Sequence, residues 1–267
     1  MKSFLWIIGS LLAFGGSSLE LQEAHPVKRI EKALAATLEG LGHSQRLVHD
    51  RILQTRAEIA ASVSDNEEAL QSFDTLSRSW EEYLKQNPNF DFETVLYASS
   101  FAAKKYKGQN RGLHDEAPYV LKSFEVTRIL WAEAKERDAN VLAGALLEDI
   151  LDKGDVPTAE IEAHFGKKIV QILQENSDSS GLTDIENREA EMDRMPTLSH
   201  SAALISLAEQ LYELRELRHM EEKLRPSEAL HQKILVQVAY QKRLSKLLVG
   251  TDTGLENAIL EELSTWK

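Results

Sequence analysis

The chain has 267 residues, with 31 basic and 43 acidic side chains and a formal charge of −12. That balance excludes nucleic acid as the main partner, since neutralising phosphates needs clustered Lys and Arg. The absence of cysteine excludes disulfides, thiolate metal sites and cysteine nucleophiles. With 42% hydrophobic and 28% charged residues the chain can fill a core, which excludes wholesale disorder.

Met1-Lys2-Ser3 precedes the apolar run Phe4–Phe14 and the small residues Gly15-Gly16-Ser17-Ser18. A basic start, a short apolar run and small residues after it form a secretory signal pattern over residues 1–18. The run falls short of the about 20 residues that a spanning helix needs. No permanent membrane anchor is therefore expected, and the mature protein is expected to be exported, either periplasmic or secreted.

Residues 26–86 read as a helical hairpin or three-helix appendage. Val27, Ile30, Leu34, Leu38 and Leu41 recur at helical spacing, and Leu47, Ile52, Ile59 and Val63 form a second stripe. Ser64, with Glu67 three positions on, predicts a capping-box start for a third helix carrying Leu70, Phe73, Leu76, Trp80 and Leu84. His43 and His49 there are expected to be solvated.

From Phe92 the helices shorten. They are predicted over about 92–107, 119–136, 139–151, 158–164, 166–176, 184–193, 199–218 and 226–248. A domain over 92–250 and a C-terminal helix within 251–267 complete the chain. Alternating apolar and polar residues are nearly absent, so no strand is predicted and the fold class is all-α. There is no glycine-rich phosphate loop, no GxSxG elbow and no His-Glu-x-x-His. The pairs Glu160/Glu162 and Glu221/Glu222 lie on polar helix faces and are expected to be solvated, and His200 and His219 have no identifiable partner.

Three strings carry the functional information. They are Phe101–Arg111 (FAAKKYKGQNR) followed by Pro118-Tyr119-Val120, Gly144–Asp152 (GALLEDILD), and Leu207–Leu217 (LAEQLYELREL). In this order and at this spacing, with His164-Phe165-Gly166 between them, they resemble the HD-domain hydrolases of RelA/SpoT type. The resemblance is greatest to the small metazoan-type alarmone hydrolases and runs from about Val95 to Leu217. It implies an HD-domain helical bundle. It also implies a divalent metal, usually manganese, held by two separate histidines and an Asp of a His-Asp pair with a distant Asp, activating water against the 3′-pyrophosphate of guanosine tetraphosphate.

Carried over position by position, the ligand set is altered. The first histidine falls on Lys122 and the His of the His-Asp pair on Glu148, while its Asp is kept as Asp149 and the distant Asp becomes Glu209. The acidic pair that serves catalysis becomes Asp152 and Lys153, and an Asn near the metal becomes Glu213. Lys107, Arg111 and Tyr106 fall where the family meets phosphate, ribose or base, although the run Lys104, Lys105, Lys107 also reads as a solvated helix face. A lysine ammonium is not a metal ligand at neutral pH. Lys122 is therefore expected to stand in for the metal, neutralising Asp149 and Glu148, because buried carboxylates without counter-charge cost roughly several kcal/mol each. The alternative is that Lys122 and Glu209 point to solvent at helix ends.

Two functions follow. The first is an exported, catalytically inactive pseudo-hydrolase acting as a binding or scaffold module, with no metal cofactor and with a protein partner or self-association. The second is a metal-dependent phosphohydrolase of guanosine tetraphosphate or a related nucleotide. It would use Asp152 for catalysis and Mn or Mg on Asp149, Glu148 and Glu209, an oxygen-only set. The export reading has its own test. In a secreting host the chain should lose about 18 residues from its N-terminus, as read by intact mass, and intact Met1 in the cytosolic fraction would sink it.

Overall fold

The structure is a computed structural model that describes residues 46–112, 115–177, 183–224 and 226–266. The expected signal peptide and the first stripe of the expected appendage lie outside those residues. The chain divides into two units between Asp50 and Arg51. Of the first unit, residues 46–50 are described, as helix.

The second unit is helical, as the hydrophobic spacing predicts. Residues 51–62 form α1, followed by α2 (Glu67–Gln86), α3 (Phe92–Lys105), a hairpin of β1 (Asn110–Gly112) and β2 (Asp115–Pro118), α4 (Val120–Ala132) and α5 (Ala139–Leu146). Then come α6 (Thr158–Phe165), α7 (Lys167–Asn176), α8 (Asp184–Arg194), α9 (His200–Leu224), α10 (Glu228–Leu244) and α11 (Thr253–Ser264). Polar N-caps start several of them: Asp91 accepts from Thr94 N, Asp252 from Leu255 N, and Thr183 forms a capping box with Glu186. At α2 the cap is Asn66, whose Oδ1 accepts from Ala69 N, and not the expected Ser64. Ser64 and Asp65 instead take left-handed φ values of 53° and 55° in the turn from α1. No helix among the described residues is long and apolar enough to cross a membrane.

Two further features differ from the sequence reading. The hairpin pairs antiparallel, with Asn110 opposite Pro118 and Gly112 opposite Asp115; its strands, Asn-Arg-Gly and Asp-Glu-Ala-Pro, carry no apolar alternation to betray them. The helix predicted over 139–151 ends at Leu146. Residues 147–153 continue as turns, in which Lys153 N donates to Asp149 O at 2.7 Å.

The core is built around α9, which packs against α4, α5, α7, α10 and α11. Its Ala202, Ile205, Leu207, Ala208, Leu211 and Leu214 are buried, as expected for a helix covered on most sides. Phe124 and Leu130 of α4 and Leu142 and Leu146 of α5 complete this centre. Helix α5 comes so near α7 and α9 that a Cβ on Gly144 would lie 3.1 Å from both Ile172 Cγ2 and Ile205 Cδ1. Gly144→Val should overpack this contact and destabilise the domain by about 1–3 kcal/mol, measured as a lowered midpoint in denaturant. A wild-type midpoint would show that the crossing has room to spare.

Candidate functional site

Three elements bring charge to one place. The first turn of α4 supplies Lys122, the turn after α5 supplies Glu148 and Asp149, and the middle of α9 supplies Glu209. The ammonium of Lys122 donates to Asp149 Oδ2 at 2.9 Å and also to Glu209 Oε1. Its side chain is 13% exposed. The hydroxyl of Tyr119, one residue before α4, donates to the same Asp149 oxygen at 2.8 Å. Glu148 is buried and hydrogen-bonded to Glu209.

The charge states follow from that burial. Desolvation and the neighbouring charge of Glu209 push the Glu148 carboxyl well above its ordinary range. The shift favours the protonated form, whose hydroxyl is the donor in the hydrogen bond to Glu209. Burial would also raise Glu209, but the Lys122 ammonium and the Glu148 hydrogen bond outweigh it and hold Glu209 below the usual range. Desolvation opposes the charge of Lys122, and Asp149 and Glu209 more than offset it, so Lys122 stays protonated. Glu213, one turn along α9, is pushed up to about 7 by burial and by the charge of Glu209.

Two cavities open on this cluster. An inner one of about 250 Å³ is lined by polar side chains, among them Asp152, Arg188, Arg194, Gln210, Tyr240 and Gln241. An outer one of about 440 Å³ includes Arg111, Tyr119, Lys153, Tyr212, Leu217 and Met220. Lys122, Glu213 and Gln237 line both. In the outer wall, Arg111 Nη1 donates to Tyr212 Oη at 2.5 Å and pairs with Glu216 at 3.2 Å. In the inner wall, Arg188 donates to Gln237 Oε1 at 2.7 Å and lies over the Tyr240 ring at 4.8 Å. The side chain of Gln210 is 3% exposed, and neither its nitrogen nor its oxygen has a partner in the described structure.

The structure therefore brings together Lys122, Glu148, Asp149 and Glu209, with Asp152 and Arg111 in the adjoining walls. The solvent-facing alternative for Lys122 and Glu209 is excluded. Of the two counter-ions expected for Lys122, Asp149 is one, and the second ion pair is made with Glu209 in place of Glu148. Tyr106 does not join the site: it is 2% exposed, packs with its ring tilted 58° to that of Tyr119 at 5.1 Å between centroids, and lines a separate cavity beside Ser62 and Asn66. Lys107 is exposed and lines neither cavity of the site. Lys104 and Lys105 are held in ion pairs with Glu58 and Glu160, at 2.7 and 2.8 Å. His200 and His219 are exposed. The aromatic walls belong to Tyr119, Tyr212 and Tyr240, which the sequence reading did not single out as site residues. Tyr119 and Tyr212 sat inside the informative strings, and Tyr240 had no local signal.

Glu148, Asp149 and Glu209 each offer an oxygen, all within 4.8 Å of one another. Carboxylate oxygens suit Mg²⁺ and Mn²⁺, so the donor set fits a hard divalent cation. This corrects the expectation that no metal cofactor has a place here, although Lys122 already engages two of the three carboxylates.

Comparison with known proteins places the domain. Residues 98–239 match the family described as HD domain, and the chain belongs to that family. The guanosine-3′,5′-bis(diphosphate) 3′-pyrophosphohydrolase MESH1 of Xenopus tropicalis is 32% identical over 169 residues, which is 63% of this chain and 92% of the relative. The Homo sapiens protein of the same name is 32% identical over 165 residues, 62% of this chain and 90% of its own length. A solved structure described as a metazoan ortholog of SpoT that hydrolyzes ppGpp matches with a TM-score of 0.60 and 27% identity, covering 64% of this chain and 94% of that one. Relatives matched over nine tenths of their length and named as hydrolases overturn the expectation of an inactive binding or scaffold module.

The Glu213 environment predicts a pH dependence. A carboxyl whose folded pKa lies above its unfolded value binds its proton on folding, so stability is greatest at low pH and is lost as pH rises from about 4.5 through about 7. Glu148 acts in the same direction. Glu213→Gln keeps an acceptor for Gln237 and Gln241 and removes the charge. Between pH 5.5 and 8 it should lose less stability than wild type, on a scale of about 1.4 kcal/mol per pKa unit displaced. Equal losses in chemical denaturation at the two pH values would contradict the assignment.

Proposed function

We propose that this member of the HD-domain family hydrolyses the 3′-pyrophosphate of guanosine tetraphosphate or of a related nucleotide, with Mg²⁺ or Mn²⁺ on Glu148, Asp149 and Glu209. The observation that carries the reading is the pair of cavities meeting at Lys122, Glu213 and Gln237. The outer one has the mixed lining a nucleoside phosphate needs, with Tyr119, Tyr212, Leu217 and Met220 for its flat and apolar parts and Arg111 and Lys153 for its charge. The activity for which the relatives are named supports the same reaction class.

The bound cation supplies positive charge against the phosphate and a more acidic water. The protein does the rest. Arg111, held by Tyr212 and Glu216, is fixed before substrate arrives, so its planar donors need no reorganisation to meet a phosphate. Lys153 adds a further cation to the same wall, and Lys122, paired with Asp149 and Glu209, stands where the two cavities meet. Tyr119 fixes Asp149 through the 2.8 Å hydrogen bond. Asp152, in the inner wall, is assigned the water's proton. It is one methylene shorter than the Glu of the family pattern.

The purified full chain should release pyrophosphate and guanosine 5′-diphosphate from guanosine 3′,5′-bis(diphosphate) in Mg²⁺ or Mn²⁺, and EDTA should stop it. Asp152→Asn should slow the release about 10²–10⁴-fold, the usual contribution of a positioned acid or base. No pyrophosphate release with either cation would overturn the proposal for this nucleotide.

A further inference from the structure

We propose that Lys122 is a tethered competitor for the divalent-cation site, so that a cation binds Asp149 and Glu209 only when the Lys122 ammonium leaves them. The inference rests on the cation assignment above and adds how that site is regulated.

The geometry makes the two occupants exclusive. Lys122 Nζ lies 2.9 Å from Asp149 Oδ2 and is bonded to Glu209 Oε1, so it engages two of the three carboxyl groups that each offer an oxygen within 4.8 Å of the others. Mg²⁺ or Mn²⁺ needs about 2.0–2.2 Å to such oxygens. An ion that took the oxygens the ammonium now engages would stand within a few ångströms of it. The charges repel as well, in a place where burial weakens screening.

A second observation says that the place is built for something more than one lysine. Gln210 is 3% exposed, lines the same inner cavity and has neither its amide nitrogen nor its oxygen engaged among the described residues. Buried amides are normally satisfied, so one with both atoms unengaged at a cavity wall has room for water or the hydration shell of an ion. Cations such as Mg²⁺ keep several waters when bound, and these are the partners an amide in that wall would meet.

Lys122 also has somewhere to go. It lies in the wall common to both cavities, and its four-carbon stem can turn the ammonium from the carboxylates toward the outer cavity, where Glu213 and Glu216 stand. A phosphate in that outer cavity would favour the same movement. Without it, Lys122 keeps the carboxylates neutralised and the domain intact without metal.

The test is Mn²⁺ binding to the full chain, read by the loss of the electron paramagnetic resonance signal of free Mn²⁺, with no nucleotide present. Lys122→Met should bind one Mn²⁺ at least about tenfold more tightly than wild type, since a unit charge a few ångströms from the ion is gone. Adding Glu209→Gln to that variant should abolish the gain. Because Lys122→Met strips the counter-charge from two buried carboxylates, it is also refolded with MnCl₂ and with NaCl. Recovery of helical circular dichroism in Mn²⁺ but not in Na⁺ supports the exchange equally. A folded Lys122→Met or Lys122→Gln with wild-type or weaker Mn²⁺ affinity overturns it, and so does a variant that no divalent ion refolds. Failure here is separable from failure of the hydrolase reading: a chain that gains Mn²⁺ affinity on losing Lys122 but cleaves no nucleotide keeps this inference and loses that one. A chain that cleaves the nucleotide while Lys122→Met leaves Mn²⁺ affinity unchanged does the reverse.

Discussion

Three carboxyl groups, from Glu148, Asp149 and Glu209, converge under cover, and something positive must stay with them. The Lys122 ammonium is that charge, bonded to Asp149 and Glu209 together. Burial and the charge of Glu209 push the Glu148 carboxyl up, which favours its neutral, hydrogen-bonding form and lowers the negative charge the lysine has to meet. Burial first, and then the charge of Glu209, raises Glu213 on the next turn of α9. Breaking a buried pair costs more than the pair is worth, so the position of Lys122 constrains α4, the turn after α5 and α9 together.

Helix α9 sets the frame. Its apolar residues hold it against α4, α5 and α7, while the spacing of Glu209 and Glu213 puts two acids on one face. On the other side of the helix, Arg215 grips Glu133 with two bonds of 2.6 and 2.9 Å. This bidentate pair ties α9 to the end of α4. Lys122, at the start of α4, is thus presented to Glu209 by a helix fixed at its far end to α9 itself. Helix α10 closes the inner cavity with Gln237, Tyr240 and Gln241, two of which donate to Glu213.

Replacing two imidazoles by an ammonium and a carboxylate changes which ions are welcome more than it changes the shape of the pocket. Imidazole is suited to borderline metals, whereas a set of three carboxylates is suited to hard ones. A solved structure with 27% identity shares the architecture at a TM-score of 0.60, so the altered residues sit in a retained fold. The outer cavity holds a separate cation, Arg111, anchored between Tyr212 and Glu216.

Helical periodicity alone determined the all-α class and most helix positions, because the 3.6-residue repeat of apolar side chains is a local property. The three strings also placed Lys122 beside Asp149 before any coordinates, since collinear motifs in a known bundle carry their neighbours with them. Local pattern could not show that Glu209 is the second counter-ion. It could not show that Asn66 displaces Ser64 as a cap, or that Asn110–Gly112 and Asp115–Pro118 pair, since neither strand carries an apolar stripe. Tyr106 looked available for a base and is instead packed on Tyr119, while Gln210, Gln237 and Tyr240 gave no signal at all. An apolar stripe tells which face of a helix is covered. Which polar faces then meet, and what charge each keeps there, depends on burial and on partners tens of residues away, and only the tertiary structure brings those together.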